Sequence, residues 1–280
     1  MERFMQFAKS WWGTGIVMYR RGDPLLMGAA IAYNSLFALV PLAAAFVAIV
    51  NLFDLSATAF QRFIDFLYST FPQDVAAFLE SLLESSDSEY ASDQLLIAVV
   101  SILIALWSGS RAVYAIQKSL RLVQGVKDER GYVRARGTGI GVTIAAGASI
   151  MLGYALLLLG ETAWETIADF FGLPDIGTVQ FIVSVLLVLW VFGLLYVIYR
   201  FGPPVPIIQP AIAAGIVTVV LGIGTQIAIA VSPEINSQAL AVFGTMGVLL
   251  IWLYGVGIVV VAVPMMVDAT RAAIADLRHR

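Results

Sequence analysis

Between Pro24 and Phe53 the chain runs thirty residues without one charged side chain, and a water-soluble fold has no place for such a segment. A hydrocarbon layer of about 30 Å is crossed by roughly 20 residues of helix, so each uncharged run of that length reads as a crossing. Five qualify: Pro24 to Phe53, Gly137 to Gly160, Ile176 to Tyr199, Phe201 to Pro233 and Ile235 to Val267. A sixth, Gln94 to Ser110, meets Arg111 but continues as helix-compatible sequence, and an arginine near a helix end extends its head group to the interface. The runs predict an all-α polytopic membrane protein, a single transmembrane domain over residues 1–280. Its crossings fall at about 25–53, 94–116, 137–160, 177–200, 207–231 and 239–267, with an outer helical loop at 54–93. Composition agrees, because 12% charged residues is half the roughly 25% that coats a soluble protein.

The distribution of bases orients these crossings. Lysine and arginine are retained on the cytoplasmic side. Arg3, Lys9, Arg20 and Arg21 precede the first crossing, and Lys118, Arg121, Lys127, Arg130, Arg134 and Arg136 follow the second. Arg200 lies between the fourth and fifth, and Arg271, Arg278 and Arg280 follow the last. With both termini cytoplasmic, every base except Arg62 falls on one side, while the opposite loops carry Asp54, Asp65, Asp74, Glu80, Glu84, Asp87, Glu89, Asp93, Glu161, Glu165, Asp169, Asp175 and Glu234. The expected localisation is therefore the cytoplasmic membrane, multi-pass, with both termini inside.

Several chemistries lack their residues. There is no cysteine, hence no thiolate nucleophile, disulfide or Cys-ligated metal, and the one histidine is His279, too few for a triad or a multi-histidine site. No enzyme, cofactor or metal is expected. A net charge of −3 gives no basic face for nucleic acid. No aspartate or glutamate lies within a predicted crossing, so proton coupling through an intramembrane carboxylate has no evident residue. Sodium held by backbone carbonyls of broken helices remains open.

Outside the crossings, Phe4, Phe7, Ala8, Trp11 and Trp12 form an apolar stripe at helical spacing, which predicts a helix lying in the inner interface rather than a signal peptide. In the outer loop, Phe60, Phe63, Phe66 and Leu67 recur after Ser56, and Val75, Phe78, Leu79, Leu82 and Leu83 recur after Pro72. Two amphipathic helices are expected there, resting on head groups or capping a cavity. Small residues allow close helix approach in lipid. Gly137, Gly141, Ala145, Ser149 and Gly153 fall every four residues, Ala214, Thr218 and Gly222 make a shorter stripe, and Gly244 and Gly247 mark the last crossing. These are packing signals, within one chain or in a homo-oligomer. Trp190 and Trp252, near the centres of their crossings, should turn their indoles inward.

Polar groups at depth are few. Tyr33 and Asn34 precede Pro41, whose ring and missing N–H kink the helix and free a carbonyl. Arg111, Gln226 and Tyr254 complete a candidate substrate-binding set, with Arg111 suited to an anionic head group. Each also has a purely structural reading as packing, snorkelling or topology control.

Four ordered stretches, AAIAYNSLFALVPL (Ala29 to Leu42), LWSGSRAVYAIQKSL with the basic loop after it (Leu106 to Arg136), YRFGPP (Tyr199 to Pro204) and NSQALAVFGTMGVLLIWLY (Asn236 to Tyr254), resemble the YihY/BrkB family, also called the virulence factor BrkB family. The resemblance implies a six-helix prokaryotic inner-membrane protein, often described as a transporter. Relatives tend to end the last crossing with a small residue, glutamate and asparagine. Here VPMMVD places Pro264 and Met265 at the first two positions, so a role for that carboxylate does not carry over, and Asp268 lies further along. An older label for the family, ribonuclease, does not fit, since metal-assisted cleavage needs clustered ligands and Glu2, Asp23, Asp128, Glu129, Asp268 and Asp276 are scattered.

Two functions are carried forward. One is a transporter or translocator of an amphipathic, anionic, lipid-like substrate. The other is a non-transporting envelope or scaffold protein. Membrane lipids are the expected partners, and convergence of the polar set on a cavity would separate the two.

Overall fold

The computed structural model describes residues 2–52, 57–87, 94–126, 133, 136–149, 177–203 and 205–278. All regular structure among them is helical: α1 (Glu2–Gly22), α2 (Pro24–Leu52), α3 (Ala57–Thr70), α4 (Gln73–Asp87), α5 (Gln94–Gln124), α6 (residues 136–149), α7 (Gly177–Arg200) and α8 (Ile208–Arg278). Four stretches are long and apolar enough to cross a membrane, namely Pro24–Val47, Val99–Gln124, Ile208–Ala230 and Met246–Leu277. Of the other two expected crossings, α7 is 24 residues long, and the crossing expected at 137–160 is described only as far as residue 149.

Local chemistry sets the breaks. Asp23 adopts φ 27°, ends α1, and accepts the amide of Leu26 at 3.3 Å as the cap of α2, with Pro24 at the first helical position. Gly125, at φ 69°, closes α5. Its amide donates to Leu122 O at 3.0 Å and that of Val126 to Arg121 O at 2.9 Å, the paired bonds that terminate a helix on a left-handed glycine.

α8 is helical for 71 residues, through the position where a turn was expected. It nevertheless doubles back. Arg271 Nη1 donates to Gln209 Oε1 at 2.5 Å across 62 residues, a separation that a straight helix would stretch to about 93 Å. Ile208–Ala230 and Met246–Leu277 are therefore two antiparallel limbs of one hairpin, reversing between them.

The core lies where α2, α5, α7 and both limbs of α8 meet, around Ile31, Ile116, Leu120, Ile198, Val217 and Val261. Large apolar side chains elsewhere face outward, with Leu103 61%, Leu189 58% and Ile223 58% exposed, as expected of a bundle whose solvent is lipid.

The loop helices α3 and α4 pack against α2 and α8. Phe46 of α2 stacks on Phe63 at 4.3 Å, within a cluster that includes Val47, Ile64, Leu67 and Ala76. Val75 is buried against Leu36 of α2 and Leu249 of α8. α1 extends past the expected Trp11–Trp12 stripe and docks on α8, where Trp11 Nε1 donates to Thr270 Oγ1 at 3.0 Å.

Candidate functional site

The fold gathers the ends of four helices into one basic face. Arg20 and Arg21 close α1, Lys118 and Arg121 lie near the end of α5, Arg200 ends α7, and Arg271 lies on the last turns of α8. Arg121 Nη2 donates to Gly202 O at 2.5 Å and so ties α5 to the α7–α8 turn. Gln117, wholly buried, reaches Ile198 O at 3.5 Å. Tyr199 is buried and its hydroxyl donates to Val260 O at 2.9 Å. Asp268, 8% exposed, accepts a hydrogen bond from Gln124 Nε2.

Beside this face runs a shallow open groove of about 570 Å³, lined by Phe192, Tyr196, Ile207, Ile208, Ala211 and Ile212. Phe192 and Tyr196 are parallel rings 6.4 Å apart, one turn from each other on α7. Arg200, exposed, follows Tyr196 at the four-residue spacing that puts it on the same helix face. Arg200 is not part of the lining, which is apolar throughout except for the Tyr196 hydroxyl.

The five candidate residues are not joined. Tyr33 is 58% exposed and packs on Phe37 at 4.6 Å. Asn34 donates to Ala30 O of its own helix at 2.7 Å, so its amide is used locally. Arg111 and Gln226 are exposed and Tyr254 is half-buried. None of the five is hydrogen-bonded to another among the described residues. Pro41 lies inside α2, which continues through it.

On α6, nothing among the described residues lies within 4 Å of a Cβ built on Gly137 or Gly141. The close approach falls on the opposite face, where a Cβ at Gly139 would lie 2.8 Å from Ser110 O. A repeat of four identifies a stripe but not which stripe is used, and Gly139 is in register with Thr143 as Gly137 is with Gly141. Gly153 and the side-chain surroundings of Gly244 fall outside the described residues, and Gly247 is half-buried. Trp252 turns inward, its ring edge-on to Phe71 at 5.7 Å.

Three features escaped the sequence reading. Arg136 reaches back to α5, its guanidinium 4.2 Å from the Trp107 ring centroid and its Nη2 3.3 Å from Trp107 O. Arg111, exposed, lies one turn after Trp107 on α5, and the Trp107 indole is itself exposed. Asp268 and Gln124, 144 residues apart, carry no local signal of each other. The third is on the loop helices. Asp74 is 7% exposed and its Oδ2 is buried without a hydrogen-bond partner, and burial pushes its carboxyl above the ordinary carboxylate value. Nearby, Tyr68 donates to Glu80 Oε2 at 2.6 Å; that bond first, then burial and the charges of Glu80 and Glu84, raise the phenol to about 12. No group of three or more acidic, histidine or cysteine side chains suited to a metal occurs among the described residues.

Residues 17–267 match the family described as Virulence factor BrkB. A protein of Bacillus subtilis (strain 168) named as the ribonuclease-like protein YfkH is 31% identical over 171 residues, 57% of this chain. That alignment spans 60% of the relative's own length. No solved structure matches the chain.

Proposed function

The chain belongs to the virulence factor BrkB family, and we propose that it is a translocator of an amphipathic, anionic, lipid-like substrate, crossing the cytoplasmic membrane six times with both termini inside. The observation that carries this reading is the open groove between α7 and the first limb of α8, apolar along its length, with Arg200 one helical turn after Tyr196 on α7. A small hydrophilic ion would gain nothing from Phe192, Tyr196 and Ile212, whereas burying each methylene of an acyl chain is worth about 0.8 kcal/mol. Arg136 on the Trp107 ring, with Arg111 one helical turn further along α5, offers a second basic position that a phosphate or carboxylate head can use.

The ribonuclease-like name of the Bacillus relative is not carried over. Acidic residues are spread along this chain, and among those described none form the ligand cluster that metal-assisted phosphodiester cleavage requires. A scaffold role has one observation in its favour, the failure of Tyr33, Asn34, Arg111, Gln226 and Tyr254 to meet at a common cavity.

Purified protein in liposomes decides between the two. A labelled anionic phospholipid should cross faster than in empty vesicles. Ala211→Trp, which fills the groove, should abolish the gain, and Arg200→Ala or Arg111→Ala should each reduce the rate by up to about tenfold, the equivalent of 1.4 kcal/mol. Rates equal to those of empty vesicles would leave the scaffold reading.

A further inference from the structure

The sequence offers no acidic residue inside a crossing, yet the fold brings one to the bundle's flank by another route. Leu36 lies about 18 Å along α2 from Pro24, well away from either end of that helix. Val75 at the start of α4 is buried against this Leu36 and against Leu249 of α8, with Phe71, Phe78 and Trp252 around them. Asp74 precedes Val75 and falls four residues before Phe78 on α4, so it shares the helix face of Phe78. It is 7% exposed, and Oδ2 has no partner.

Among the described side chains, no cationic group lies on the stretches packed against α4, and what favours the charged form is the set of free amides in the first turn of α4 itself. On α2 the contacting stretch from Leu36 to Val47 has no ionisable residue, and on α8 that from Met246 to Leu253 has none. On α3, Asp65 is exposed, Tyr68 is engaged with Glu80, and the side chain of Arg62 falls outside the described residues. On α4 itself Glu80 and Glu84 are like charges. A metal cation would need several oxygen ligands, and here the lining is leucine, valine, phenylalanine and tryptophan. The ligand that suits a lone carboxyl among hydrocarbon is a proton.

We propose that Asp74 is a proton-binding site whose occupancy governs the seating of the α3–α4 hairpin on α2 and α8. With the hairpin seated, the carboxylate takes one proton from water and becomes a neutral acid that tolerates the apolar contact. When the proton returns to water, the charge recovers its hydration only by lifting α4 from Leu36 and Leu249. This site is independent of the groove and of any lipid substrate.

Trp252, edge-on to Phe71, is a built-in reporter. Intrinsic fluorescence of the full chain in detergent, scanned from pH 4 to 9, should show a single titration step that Trp252→Phe removes. Asp74→Asn should abolish the step with the seated-state emission held throughout, and Asp74→Glu should retain it with a shifted midpoint. A flat wild-type profile would overturn the proposal, as would a step that persists unchanged in Asp74→Asn. Should Asp74→Asn fail to purify as a monodisperse species, the Asp74→Glu midpoint decides: a shift sustains the site, and an unmoved midpoint sinks it.

Discussion

Asp74 and Tyr199 show how one side chain's surroundings set its energetics. Tyr199 is buried with its hydroxyl donated to Val260 O, so Tyr199→Phe should lower thermal stability in detergent by about 1 kcal/mol, the net value of such a bond. An unchanged midpoint would mean that the bond contributes nothing. Asp74 works in the opposite sense. Its carboxyl is raised by burial, so the native state holds the proton more tightly than the unfolded chain does. The stability it contributes is complete at low pH and is lost as pH rises through the native value. Asp74→Asn should therefore be more stable than wild type at pH 7 by about 1–3 kcal/mol, the cost of an unsatisfied buried polar group, and no more stable near pH 4. At this scale the sequence was informative about residue type and silent about partners. Asn34 and Arg111 stood out as polar at depth, but whether Asn34 would spend its amide on Ala30, or Gln124 find Asp268, depends on contacts made far along the chain.

Between elements, α2 and the second limb of α8 approach each other backbone to backbone. A Cβ on Gly28 would lie 2.8 Å from Ile258 Cγ1 and 2.9 Å from Ile258 N, and one on Gly257 would lie 2.7 Å from Gly28 O. The opposing atoms are largely backbone, so the helices themselves must separate to admit a methyl group. Gly28→Ala and Gly257→Ala should each destabilise the folded chain by about 1–3 kcal/mol, as overpacking does. Gly137→Ala and Gly141→Ala, where nothing lies within 4 Å, should leave the monomer's unfolding midpoint in place. Equal losses at all four positions would show that Gly137 and Gly141 do meet a helix, in this chain or in a second copy. The existence of the helices was legible because uncharged runs of this length have few other stable forms in lipid. Which faces meet was not, because glycines at 137, 139 and 141 give two stripes of equal merit. The inward packing of α3 and α4 was hidden for a related reason: an apolar helix face looks the same whether it covers head groups or the side of a bundle.

For the whole molecule, the decisive relation is the reversal inside α8. Its residues are helical from Ile208 to Arg278, and taken alone that would describe a rod of about 107 Å, more than three times the hydrocarbon thickness. The contact of Arg271 with Gln209, the docking of Trp11 on Thr270 and that of Gln124 on Asp268 fit only a hairpin whose two ends share the basic face with α1 and α5. That arrangement also places Arg20, Arg121, Arg200 and Arg271 at one end of the bundle, as the charge pattern of the loops requires. Because the chain has no cysteine, introduced pairs report without background. Gln209→Cys with Arg271→Cys should form a disulfide under mild oxidation in native membranes, since that bond needs Cα atoms within about 7 Å, or with a short bifunctional maleimide where the backbone spacing is wider. Gln209→Cys with Met246→Cys, near the reversal on the opposite limb, should not react. Reaction of the second pair in place of the first would mean that the limbs do not run antiparallel, and the shared basic face and the groove beside it would have to be redrawn, with the proposed orientation of the termini.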